Sequence, residues 1–293
     1  MGSVGLLLIS VNHNNLGLLI LNVSPSKDNS SSIHLLQITD THLFAPNDGC
    51  LLGVNTAESF HAVVEDIVNT QVEFDAILAT GDISQDHSHD SYARFVEGIK
   101  PLEKSCYWLP GNHDYKPEMF SVLPTPQVVC QQQVVLNEHW QIVMLDSQVS
   151  GVPHGRLNQE QLAVLDKALQ QHPDKWSLIV LHHHPVLAGS QWLDQHTLKD
   201  SQDFWDIVQR YDKVQGVMCG HIHQELDVDH HGVRVLATPS TCVQFKPQSS
   251  QFCLDNRSPG WREIELCVDG QIKTQVKRLT HGRFLPDYRA SGY

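Results

Sequence analysis

The chain has no uninterrupted apolar run of about 18 residues, the length that a membrane-crossing helix needs. Its nearest stretch, Leu6 to Val23, is broken by Asn12, His13, Asn14 and Asn15. That stretch also lacks a basic flank and a small-residue cleavage site, so it does not read as a signal peptide. No membrane partner is expected. Positive charge is scarce too: 20 Lys+Arg face 33 Asp+Glu, a formal charge of −13. An acidic surface repels polyphosphate, which argues against a nucleic-acid partner. A small anionic ligand stays permitted, because bound cations reverse the field locally. The seven cysteines (50, 106, 130, 219, 242, 253 and 267) are odd in number and form no CxxC pair. They predict free thiols in a reducing compartment and hence a cytoplasmic protein.

What is present is an alternation of apolar strands and amphipathic helices. At 293 residues with 41% hydrophobic side chains, the chain can bury one large α/β core or two small ones. Ser24 to Ser32 reads as a linker. Residues 1–32 are expected to form a leader, either a hairpin around Asn12-His13-Asn14-Asn15-Leu16-Gly17 or a disordered segment. Strands are expected at Ile33 to Thr39, Phe74 to Thr80, Cys106 to Leu109, Trp176 to Leu181 and Val214 to Cys219. A hairpin is expected from Val134-Val135-Leu136 and Ile142 to Leu145. Apolar residues at helical spacing predict helices over Asn55 to Thr70, Ser88 to Ile99 and Asn158 to His172. Beyond Glu225 the helical pattern gives way to short strands around Asp229-His230-His231-Gly232. Near-continuous apolar strands alternating with such helices point to sheets covered by helices, which gather ligands at the strands' carboxyl ends.

Five polar motifs follow those strands in order: Asp40-Thr41-His42, Gly81-Asp82, Gly111-Asn112-His113-Asp114, His182-His183-His184-Pro185 and Gly220-His221-Ile222-His223. Much of the chain's stock of 19 histidines lies in or near them. Each motif alone has an ordinary reading; Gly-Asp or Asp-x-His usually marks a turn or a cap. Together they supply the imidazole, carboxylate and amide ligands that divalent metals take. Asp40 with His42, and His221 with His223, can each grip one ion, and Asp82 can bridge two. Such a site would hold two cations about 3.5–4 Å apart, the arrangement used for phosphoester displacement. Two dications are balanced by Asp40, Asp82, one hydroxide and one phosphodiester, so a diester needs no dedicated arginine clamp.

This ordered set resembles the calcineurin-like metallophosphoesterase superfamily over roughly residues 33 to 280. More narrowly it resembles the bacterial class III cyclic-AMP phosphodiesterases, through Leu36 to Phe44, His182 to Asp200, Ala237 to Pro247 and Pro259-Gly260-Trp261-Arg262. The resemblance implies an α/β fold, a metallophosphoesterase-like αββα sandwich with two central mixed sheets flanked by helices. It spans residues 33–280 and leaves 281–293 as a tail. It implies two divalent ions, Fe or Mn ahead of Zn. Asp40, His42, Asp82 and His223 would hold the first, and Asp82, Asn112, His182 and His221 the second. His113 would be the catalytic acid. His42, Asp82, Asn112, His113 and His223 would face the substrate phosphate. The implied reaction converts 3′,5′-cyclic AMP to 5′-AMP, lowering intracellular cyclic AMP and so regulating its signalling. A broader phosphodiesterase acting on other nucleotides or glycerophosphodiesters is the alternative, and a homodimer is allowed. Several neighbours have open readings. Asp114 either orients His113 or caps a turn. His183 and His184 either fix ligand orientation or face solvent. Trp192, Asp194 and His196 fit packing somewhat better than a substrate-side loop. Phe245 fits a core aromatic better than an adenine platform, and Asp229-His230-His231 a hairpin turn.

Overall fold

Alternation within the strands sorts their side chains onto two faces, and the two faces belong to different cores. A computed structural model describes residues 32–280 and 282–290. The leader expected over residues 1–32 lies outside the described residues except for Ser32, as do parts of the tail. The early strands are β1 (Ile33–Ile38), β2 (Cys50–Leu51), β3 (Val54–Asn55), β4 (Ala76–Ala79), β5 (Ser105–Trp108) and β6 (Val128–Val129). There follow β7 (Gln133–Val135), β8 (Trp140–Leu145), β9 (Trp176–Leu181), β10 (Val214–Cys219), β11 (Leu226–His230) and β12 (Val233–Ala237). The last pair is β13 (Gly260–Leu266) and β14 (Ile272–Arg278).

One sheet has the order β14-β13-β1-β4-β5-β6 and the other β11-β12-β10-β9-β8-β7. The run β1-β4-β5-β6 in the first sheet and the run β12-β10-β9-β8 in the second are parallel; antiparallel strands close every edge but that of β6. Leu35, Leu78, Tyr107, Met144, Val180 and Met218 meet in the core between the sheets. Their neighbours Leu36, Ile77 and Trp108 face α1 (Thr56–Thr70), α2 (His89–Ile99) and α3 (Lys116–Val122). Leu145, Ile179 and Val217 face α4 (Gln159–Gln171) and α5 (Ser201–Val208). The layers therefore run helix, sheet, sheet, helix, as expected.

Helix starts follow capping chemistry. The side chains of Asn55, Ser88 and Asn158 accept from the amides of Glu58 (3.0 Å), Ser91 (3.1 Å) and Gln161 (2.9 Å). These residues, expected to open the helices, are their caps. α3 and α5 were not expected, and the last two strands are seven residues each, longer than the pattern suggested.

Arg262 on β13 ties one sheet to the other. It is 2% exposed and donates to Thr238 Oγ1 (3.0 Å), Leu226 O (3.2 Å) and Ala237 O (2.7 Å), all from the second sheet's side. Burial lowers its guanidinium to about 10. Arg262→Met removes a donor from the buried Ala237 carbonyl and from the part-buried Leu226 carbonyl, and is expected to destabilise the protein by about 3 kcal/mol. Urea unfolding reads this as a lower midpoint at unchanged slope; an unmoved midpoint contradicts it.

Candidate metal centre

All five motifs sit just past the carboxyl ends of strands, three in one sheet and two in the other. Asp40 and His42 follow β1, Asp82 follows β4 and Asn112 follows β5 in one sheet. His182 follows β9, and His221 and His223 follow β10, in the other. The sheets are laced together here: the amide of His221 donates to both Asp40 carboxylate oxygens at 3.1 Å, and Gln37 Nε2 donates to Cys219 O at 2.9 Å.

The backbone at these residues is unusual. Asp40 (φ 54°), His42 (φ 45°), Asp82 (φ 50°), His221 (φ 69°) and His223 (φ 48°) all occupy the left-handed region. Non-glycine residues rarely adopt it, and such strain gathers at functional sites when the surroundings impose it. The surroundings do so through backbone bonds: Asp40 N to Gly81 O (3.0 Å), His42 N to Asp82 O (2.9 Å) and Gly220 N to His182 O (3.1 Å). Glycine is required beside them, since a Cβ on Gly111 would overlap the Asp82 carboxylate.

The side chains converge. His223 Nε2 lies 3.3 Å from Asp40 Oδ1 and 3.1 Å from His42 Nε2. His182 Nε2 lies 3.2 Å from both Asp82 Oδ2 and Asn112 Oδ1. His42 Nε2 stands between the two carboxylates, 4.0 Å from Asp40 and 3.9 Å from Asp82. Ligand-capable atoms of Asp40, His42 and His223, and of Asp40, Asp82 and His182, lie within 4.8 Å of one another. On the outer side, each of three imidazoles has Nδ1 against a carbonyl oxygen: His42 on Gln85 Oε1 (2.7 Å), His182 on Thr80 O (2.7 Å) and His223 on Val243 O (2.9 Å). An oxygen there takes the Nδ1 proton and leaves Nε2, pointing inward, as the atom that can give its lone pair to a metal in place of a proton. Such nitrogens converging with two buried carboxylates fit a pair of divalent cations.

Residues 33–225 match the family described as Calcineurin-like phosphoesterase. A Vibrio vulnificus protein named 3′,5′-cyclic adenosine monophosphate phosphodiesterase CpdA is 63% identical over 263 residues, covering 90% of this chain and 96% of that one. This chain belongs to the calcineurin-like phosphoesterase family. The Escherichia coli protein of the same name is 51% identical to the phosphoesterase described here, over 89% of this chain and 95% of its own. A dimetal phosphatase structure from Danio rerio superposes with a TM-score of 0.57 at 13% identity, covering 86% of this chain and all of that one, which supports the fold alone.

Burial and charge set the electrostatics of the phosphoesterase site. Burial alone would raise Asp40, but His223 and then His182 outweigh it, and the carboxyl is held below its usual range. Burial opposes ionisation of Asp82 too, yet His182, His113 and His42 keep it well below that range. For His182 the Asp82 carboxylate overcomes burial and lifts the imidazole to about 9. His42 is pressed down to about 3, chiefly by burial. His113 is also lowered, by burial first, and its ring meets His42 edge-on at 5.1 Å. The backbone amide of His113 donates to Asp82 Oδ1 at 2.8 Å, which seats it at the rim of the cluster.

Asp114 takes the capping alternative. Its carboxylate accepts from the amides of Ile83 (3.0 Å), Ser84 (3.0 Å) and Gly111 (2.9 Å), locking the Asp82 and Asn112 loops together. Burial, helped by Asp82, lifts it to about 7. His183 and His184 are fully buried, so the solvent-facing reading fails. Phe245 is 1% exposed and stacks on His223 at 4.4 Å, with Trp192 packed against it at 5.0 Å. Both belong to the packing behind the site. The expected turn at Asp229-His230-His231 lies later: Asp229 and His230 end strand β11, and His231-Gly232 make the β11–β12 turn. Thr80, Gln85 and Val243, which hold the imidazoles, were not expected: two of them act through backbone oxygens, for which side-chain identity gives no signal.

Proposed function

We propose that this phosphoesterase hydrolyses 3′,5′-cyclic AMP to 5′-AMP and so lowers cyclic AMP in the cytoplasm. The observation that carries the substrate is the 63% identity, over 90% of the chain, to a protein named for that activity. The seven free cysteines agree with a reducing compartment. Asp40, His42, Asp82 and His223 would hold one divalent ion, and Asp82, Asn112, His182 and His221 the other, with Fe or Mn favoured. Such ions would supply Lewis-acid stabilisation to the phosphoryl group. Asp40 and Asp82 would provide the negative charge that keeps them together, with Asp82 serving both sets. Asn112 adds a neutral amide oxygen, so the site retains net positive charge for a diester. His113 hydrogen-bonds the phosphate from the rim. When water adds to phosphorus and the P–O3′ bond breaks, the imidazolium form of His113 delivers its proton to the departing O3′ and is restored by the proton that the attacking water releases. His42 and His223 line the phosphate side.

The cluster senses phosphate, not base, so turnover on a panel is the test. Cyclic AMP is expected to give the highest kcat/KM among cyclic AMP, cyclic GMP, a 2′,3′-cyclic nucleotide and an aryl phosphodiester. Faster turnover of any other member would replace this assignment with the broader phosphodiesterase.

A further inference from the structure

Three candidate histidine ligands have their outer nitrogen on a carbonyl oxygen; His221 departs from that pattern. Its Nε2 is enclosed and has no hydrogen-bond partner among the described residues. Beside it stands His183, wholly buried, whose Nε2 is enclosed and unpartnered in the same way. The two rings are 4.7 Å apart and inclined at 51°. Ligand-capable nitrogens of His182, His183 and His221 lie within 4.8 Å of one another. The other nitrogen of His183, Nδ1, is 2.8 Å from Ser147 Oγ, which also accepts from the His183 amide at 3.3 Å.

The place of the His183 ring is built. A Cβ on Gly155 would stand 2.7 Å from Cβ of His183 and closer still to its ring. Gly155 cannot retreat easily, since its amide donates to Thr197 O (3.2 Å) and its carbonyl accepts from Lys199 N (2.9 Å). His184 covers His221 from another side, with ring centroids 5.6 Å apart.

We infer that His183 is the positioning residue of His221: its Nε2 is the acceptor set beside the Nε2–H of His221, two enclosed nitrogens not hydrogen-bonded as the rings stand, while its Nδ1–H donates to Ser147 Oγ. Closing the rings onto one shared proton satisfies both nitrogens, whereas a direct contact with two protons or none would leave both unpaired. His183 thereby does for His221 what Gln85, Thr80 and Val243 do for the other three imidazoles. Nδ1 of His221 is left as the nitrogen available to a cation. This rests on the dinuclear reading given above.

The test is a Mn²⁺ titration of the metal-depleted full-length protein, with folding followed by circular dichroism. His183→Leu is expected to weaken one of the two ions by about 10–100-fold and leave the other within about twofold, the scale seen when a ligand's outer partner is removed. His183→Gln, which keeps an acceptor, should recover most of that loss. Ser147→Ala and Gly155→Ala disturb the same ring without touching a ligand, and should shift the same ion in the same direction. They carry the test if His183→Leu does not fold. Two ions in the wild type with unmoved affinities in the folded variants would overturn the inference alone. Fewer than two ions in the wild type would overturn the dinuclear reading, and the inference with it.

Discussion

Asp82→Ala is expected to empty both ion positions and lower kcat/KM for cyclic AMP by at least about 10³-fold, the equivalent of several kcal/mol of lost Lewis-acid stabilisation. The reason is geometric. Asp82 Oδ2 lies 3.2 Å from His182 Nε2 and 3.9 Å from His42 Nε2, so one carboxylate serves both halves of the cluster. Its other oxygen accepts the His113 amide at 2.8 Å and fixes the loop that carries Asn112. Removing the side chain also leaves four neighbouring imidazoles (His42, His113, His182 and His223) with Asp40 as their remaining close carboxylate partner in the cluster. Elemental analysis of purified protein beside a cyclic-AMP assay checks both parts. Retention of two ions with a rate within about tenfold of wild type would contradict the bridging role.

His113→Ala separates chemistry from metal holding. The variant is expected to keep both ions and lose about 10²–10⁴-fold in kcat, the usual worth of a placed proton donor. His113 meets His42 edge-on at the rim and is half-buried, a position suited to meeting substrate. A second readout makes the role specific. With an aryl diester, whose phenolate leaves without help, the loss should shrink toward unity; with cyclic AMP it should stay large. Metal loss equal to that of Asp82→Ala would show that His113 holds an ion instead.

The architecture was legible because strand periodicity carries it. Residues such as Leu35 and Leu36, or Leu178 and Ile179, are adjacent and apolar yet belong to different cores, which is what a sheet buried on both faces demands. The caps Asn55, Ser88 and Asn158 marked helix starts for a local reason. α5 was missed although Phe204, Trp205 and Val208 form its buried stripe, because eight residues give little more than two turns of period. The convergence of five motifs was readable from their order after strands. Which neighbours hold them was not: the oxygens of Thr80 and Val243 are backbone atoms brought near by crossovers between distant segments. Asp114 was ambiguous for a related reason, since a carboxylate beside a histidine orients it or caps a loop according to tertiary contacts alone.

Because four of the candidate ligands hang from one sheet and three from the other, ions seated among them would act as a clasp across the sandwich. Separating the halves would then require releasing the cations, so occupancy and global unfolding become linked by mass action. The phosphoesterase would owe part of its durability to the supply of metal around it, and a chelator would loosen the whole molecule before it reached any element of the core.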